Sequence, residues 1–153
     1  MCLETIRNHL GLTPVGKPSN TQPITANEIL QIIAGNAGVY PTAKFYDAEY
    51  KTTTFADYDR FIRHSMVDLM TYENEFMDCD DFAIALWGEF TRTKYWSGLA
   101  FGAISVTYDN QEGAHALNIM ITNDHTAYYV EPQNDKKWLM ESEKHMIPYF
   151  VIM

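Results

Sequence analysis

The sequence predicts an α+β fold, with N-terminal helices packed on a C-terminal antiparallel β-sheet. Three observations carry this. Apolar residues recur at helical spacing as far as Phe90, and beyond Gly98 the pattern changes to the alternation of half-buried strands. A turn signal, Asn123-Asp124, separates two of those strand patterns as a hairpin loop would. Helices first and antiparallel strands after make an α+β order rather than the alternating order of a parallel sheet. All 153 residues are expected in one domain, since a chain of this length buries a proper core.

The elements follow in order. Residues 3–10 read as a short helix stopped by Gly11, and residues 14–23, rich in Pro and Gly, as a loop. Thr25 and Glu28 form a capping box for a helix carrying Ile29, Leu30, Ile32 and Ile33 and ending at Gly35. Residues 44–54 fit no single pattern and are extended at most. Residues 57–70 read as a helix with Phe61, Ile62, Met66 and Leu69 inward. Ile104, Val106 and Tyr108 alternate with Ser105 and Thr107 as a strand. Trp138 and Leu139 fall in an unassigned segment, and residues 148–153 form an apolar strand that pairs with the sheet.

Between these lies the segment opened by Cys79. Phe82, Ala83, Leu86 and Phe90 follow it at three, four, seven and eleven residues, so all five share one helical face. Asp78 is a good N-cap, and Asp81 answers it from three positions on. Cys79 is then the first helical residue, beside unsatisfied N–H groups that lower a thiol's pKa and offer an oxyanion donor. Asp78, Asp80 and Asp81 oppose this, because negative charge around the sulfur disfavours thiolate. A cationic partner is required, whether a histidine, a metal or both.

His115 is the expected cation. In residues 114–122 the odd positions read His115, Leu117, Ile119 and Ile121, a strand buried on at least one face. A second strand, 126–131, ends at Pro132. Folded about residue 123, the hairpin places Glu131 across from His115 or near it, where a carboxylate fixes the imidazole tautomer. Asn118 falls on the other face and is not expected to orient the ring. Gln133, Asn134 and Asp135 read as a polar turn. Trp87 lies off the thiol's face as packing, and Trp96 is a candidate apolar wall of the cleft.

Cys79-Asp80-Asp81-Phe82-Ala83, His115-Ala116 and Glu131-Pro132 together resemble the papain-like and transglutaminase-like cysteine hydrolases, and most nearly the protease domain of fungal chimeric agglutinins. The resemblance covers residues 78 to 133 and implies a papain-like fold with a Cys79-His115-Glu131 triad. Cys79 attacks an amide carbonyl, His115 moves the proton and Glu131 orients the ring. It implies a cysteine peptidase or amidase acting on protein or peptide, activated by calcium; with Asp78 engaged as the helix cap, Asp80 and Asp81 are the expected ligands of the cation.

Each residue also has a plainer reading: a small core cysteine, a structural histidine, a solvated strand end and ordinary capping acids. Two alternatives therefore stay open, a transglutaminase-type acyl transferase and a non-catalytic, metal-dependent module that binds a ligand or protein. A net charge of −9 argues against nucleic acid or an anionic membrane as partner. Two cysteines, Cys2 and Cys79, make no disulfide framework. With no apolar span and no secretory signal, the sequence reads as cytoplasmic. It says nothing of oligomeric state.

Overall fold

The structure, a computed structural model, describes residues 15–153. The expected helix at 3–10 and Cys2 lie outside the described residues. In chain order the elements are β1 (Gln22–Thr25), α1 (Ala26–Ala37), β2 (Thr42–Lys44), β3 (Glu49–Thr52), α2 (Phe55–His64), α3 (Cys79–Arg92), β4 (Phe101–Tyr108), β5 (Ala114–Ile121), β6 (Ala127–Glu131), β7 (Lys136–Leu139) and β8 (Met146–Ile152). Short 3-10 turns occur at Val67–Leu69 and Met140–Ser142.

Local chemistry sets the helix ends. Thr25 caps α1 as its sequence requires: Glu28 N–H donates to Thr25 Oγ1 at 3.2 Å, and Glu28 Oε2 accepts from Thr25 N–H at 2.8 Å. The helix runs through Gly35 and ends at Gly38, whose φ of 74° is left-handed and whose N–H donates to Ala34 O at 2.8 Å. One glycine inside a helix costs about 1 kcal/mol, too little to stop it where packing continues. Helix α2 begins earlier than expected because Thr54 Oγ1 accepts Asp57 N–H at 3.1 Å. It also ends earlier, so Leu69 falls in a 3-10 turn and is 63% exposed instead of inward.

Six strands form one sheet in the order β2-β8-β4-β5-β6-β7, antiparallel except for β2, which runs parallel to β8. β1 and β3 make a separate antiparallel pair. The expected arrangement, helices from the first half on an antiparallel sheet from the second, is corrected here. Three strands come from the first half and the main sheet is mixed. Residues 42–44 (Thr-Ala-Lys) carry no alternation, so nothing in the sequence announced a strand recruited by the far end of the chain.

The sheet is covered on both faces. Ile29 and Ile33 of α1, with Ile24 and Tyr50, pack on Ile104, Val106, Leu117, Ile119 and Tyr129. On the other face Tyr58, Phe61 and Ile62 of α2 join Phe82, Leu86 and Phe90 of α3 against Phe101, Met120 and Val130. Each fully buried side chain of this size stabilises by about 1.5–3 kcal/mol. Trp96, expected as a cleft wall, is fully buried in the second cluster, and its Nε1 donates to Gly16 O at 2.8 Å. No helix among the described residues is long and apolar enough to cross a membrane.

The β6–β7 turn ends at Asp135, held at a left-handed φ of 59°. Burial pushes its carboxyl up to about 6, with Asp68 and Asp59 adding to the rise and Lys137 and Arg63 opposing it. A folded-state value above the unfolded one means that this group favours folding at low pH. That contribution is full below about pH 4 and is lost as pH rises through about 6. Asn tolerates the same backbone region. Asp135→Asn is therefore expected to exceed wild type by about 1 kcal/mol near pH 8, after allowance for solvent screening, and to match it near pH 4. Urea denaturation at the two pH values checks this; a difference independent of pH contradicts it.

Candidate functional site

Helix α3 places Cys79 at one end of the sheet. Asp78 precedes the helix as its N-cap, and Asp78 N–H donates to Asp81 Oδ2 at 3.2 Å. Cys79 packs with Ala83, Ala103 and Ala116, small residues that bring the helix close to β4 and β5. Asn118 fixes that approach. Fully buried, its Nδ2 donates to Ala83 O at 2.8 Å and to Gly102 O at 3.1 Å. Asn118 does lie on the opposite face from His115, as its sequence position requires, but its task there was not foreseen. A polar side chain within a buried strand was the available signal, because such a group must find partners.

His115 Nε2 and Glu131 Oε2 lie 2.7 Å apart, both residues half-buried. Their contact is diagonal rather than directly across the hairpin. β5 and β6 pair Asn118 with Val130 and Ile121 with Ala127, so the loop is centred on Asp124 and not on residue 123. His125 causes the shift: its left-handed φ of 61° adds a residue to the loop. One step beyond the last pair, Glu131 stands opposite Leu117, two residues from His115 on the same face. Glu131 Oε1 also accepts Gln133 N–H at 3.3 Å.

Thiol and imidazole come from different faces. By strand alternation His115 lies with Leu117 and Val106 on the α1 side, whereas Cys79 packs on Ala116 on the α3 side. Among the described residues no hydrogen bond joins Cys79 to His115. Both faces nevertheless reach the same end of the sheet, where Tyr108 ends β4. Burial raises the Tyr108 hydroxyl's pKa, and the negative charges of Glu131 and Cys79 raise it further.

The acids divide differently from expectation. Asp81 is engaged at the helix start, and it is Asp78 and Asp80 that converge. Their carboxylate oxygens and the Cys79 sulfur all lie within 4.8 Å of one another. Sharing a hydrogen bond with Asp78 raises the Asp80 carboxyl's pKa, and burial adds to the rise. Two carboxylates that resist joint ionisation are relieved by a cation between them. The two carboxylates are donors of the kind a hard, oxygen-preferring ion such as calcium takes, whereas the Cys79 sulfur is not.

The Ricin-type beta-trefoil lectin C-terminal domain family matches residues 19–152. Among solved structures, one described as a PSL1a-E64 complex is similar with a TM-score of 0.68 and 19% identity over 86% of this chain and 51% of that one. Polyporus squamosus lectin bound to the epitope Neu5Aca2-6Galb1-4GlcNAc is similar with a TM-score of 0.67 and 20% identity over 86% of this chain and 49% of that one. The chain thus spans about half the length of these structures. No curated protein sequence matches it.

These findings replace several expectations. The family is a lectin domain family rather than the papain-like or transglutaminase-like hydrolases, and one of the structures named is a lectin. The papain-like fold gives way to a mixed-sheet fold similar to that of the two solved structures. The cysteine peptidase or amidase, the thiol-protease and transglutaminase-like descriptions and the peptide substrate are corrected with it. A local reason exists for the misleading motif. Cys79, Ala83 and Ala116 are the small residues that seat α3 on the sheet, and the acids beside them start the helix. Close packing of α3 on β4 and β5 is thus one physical reason for small residues at Cys79, Ala83 and Ala116.

Proposed function

We propose, on the premise that this chain belongs to the Ricin-type beta-trefoil lectin C-terminal domain family, that it is a non-catalytic, calcium-dependent module that binds saccharide. The observation that carries this reading is the convergence of Asp78 and Asp80 at the sheet end that also holds the His115–Glu131 pair. Calcium takes six to eight oxygen ligands, so two carboxylates leave positions for other oxygens. Vicinal hydroxyls of a sugar are such oxygens, and bound calcium supplies the charge that attracts them. Glu131 accepts from a further hydroxyl, and His115 presents its second ring nitrogen to another. Tyr108 borders the same space, amphipathic in the way that saccharide contacts require. Cys79 serves as a small packing residue under α3. The glycan carried by one of the structural neighbours supports saccharide as the ligand class.

Calorimetric titration with Neu5Aca2-6Galb1-4GlcNAc tests the reading. Binding is expected in calcium and is expected to fall by about tenfold or more in chelator or on Asp78→Asn with Asp80→Asn. Affinity that ignores both chelator and the paired substitution contradicts it.

A further inference from the structure

A second feature lies away from this site, about 12 Å along α3 from Cys79 at 1.5 Å per residue. The Trp87 indole lies near the phenol of Tyr46, with ring centroids 6.4 Å apart and planes 23° from parallel. Tyr46 is 66% exposed, so its ring is not a core residue. Asp47, Thr91 and Ser97 complete the rim of a cleft of about 130 Å³, with Phe90 and Met153 beneath. Lys44 Nζ stands 5.3 Å from the Tyr46 ring centroid. Among the described residues the Asp47 carboxylate and the Ser97 hydroxyl form no hydrogen bond. The cleft therefore combines an aromatic wall with an uncommitted acceptor and an uncommitted hydroxyl.

We infer that this cleft is a separate binding subsite for one neutral pyranose ring of a glycan, independent of calcium. A pyranose presents an apolar C–H face and a girdle of hydroxyls, and both must be met at once. The Tyr46–Trp87 wall takes the face, and Asp47 and Ser97 take the hydroxyls. A carboxylate and a hydroxyl at one rim favour a ligand whose groups both donate and accept, as hydroxyls do. Size excludes a helix, whose diameter of about 10–12 Å cannot enter a cavity that holds a single ring. The inference rests on the saccharide-binding reading for the class of ligand, not for the place.

The test is residue-resolved NMR of the isotopically labelled protein titrated with the disaccharide Galb1-4GlcNAc in chelator, then in calcium. In chelator the Trp87 indole N–H is expected to shift saturably while the Trp138 indole, which lies outside the cleft, stays still. Tyr46→Ala and Asp47→Asn are each expected to weaken that response about tenfold, with the remaining spectrum certifying the fold. A Trp87 signal unmoved at millimolar disaccharide, or one that moves equally in Tyr46→Ala, overturns the inference. Calcium-dependent shifts confined to the Asp78 and His115 end report on the other site. Their presence without a Trp87 response sinks the subsite and leaves the proposed function standing, and the reverse result does the opposite.

Discussion

Asp57→Ala is expected to destabilise the protein by about 3–5 kcal/mol, because it leaves a set of inward-turned donors without their acceptor. Asp57 is 4% exposed. Its Oδ2 accepts from Ser19 N–H at 2.9 Å, Ser19 Oγ at 2.7 Å and Thr53 Oγ1 at 2.8 Å, and its Oδ1 pairs with Arg60 Nη2 at 2.7 Å. Burial acts to raise the Asp57 pKa, but hydrogen bonds from Arg60, Ser19 and Thr53 outweigh it and hold the carboxyl well below the usual range. Arg60 also donates to the backbone oxygens of Val15 and Lys17. One side chain therefore ties the 15–20 segment, the end of β3 and α2 together. A depressed carboxyl stabilises above its unfolded pKa and loses that effect as pH falls through its folded value. The difference between wild type and Asp57→Ala in urea is expected to be full near neutrality and to shrink in acid. A loss below about 1 kcal/mol at neutral pH contradicts this account of the hub.

Gly102→Ala is the second large effect. A Cβ at this position would sit 2.1 Å from Ile152 O and 2.8 Å from Met153 Cγ. The first contact is with backbone, so no side-chain rotation relieves it. β4 pairs Ala103 with Ile152, and the methyl group would wedge those strands apart. Gly102 O is also an acceptor for Asn118, so the displacement reaches the clamp that seats α3. Overpacking of this kind costs about 1–3 kcal/mol and more where the backbone cannot yield. Thermal unfolding of Gly102→Ala beside Gly88→Ala measures it, since a Cβ at Gly88 meets nothing within 4 Å. Equal stability of the two variants contradicts the close approach of β4 and β8.

Legibility followed how local each determinant is. The α1 cap, the N-terminus of α3 at Cys79 and the β5–β6 hairpin were readable because their causes lie within a few residues. The register of that hairpin was not, since it turns on the backbone angle of His125 and not on composition. β2 was hidden because its partner lies over a hundred residues away and its three residues carry no pattern. At the site, the contact between His115 and Glu131 could be anticipated from spacing, but the faces of the sheet could not be assigned to Cys79 without the packing of Ala103 and Ala116. The grouping of Asp78 with Asp80 was hidden for a similar reason, since the cap position that the sequence assigns to Asp78 does not say which neighbouring acid its carboxylate approaches. Tyr46 was unreadable for another reason: it lies in a stretch of mixed pattern, and its neighbour Trp87 comes from a helix forty residues on.

The central claim, a module that binds without catalysing, is tested most directly by incubating the calcium-loaded protein with a peptide library and reading new amino termini by mass spectrometry. Wild type and Cys79→Ala are run in parallel, with Neu5Aca2-6Galb1-4GlcNAc affinity measured on the same samples. The account predicts no new termini from either protein and the same saccharide affinity in both. Peptide-bond cleavage by wild type that disappears in Cys79→Ala would contradict it.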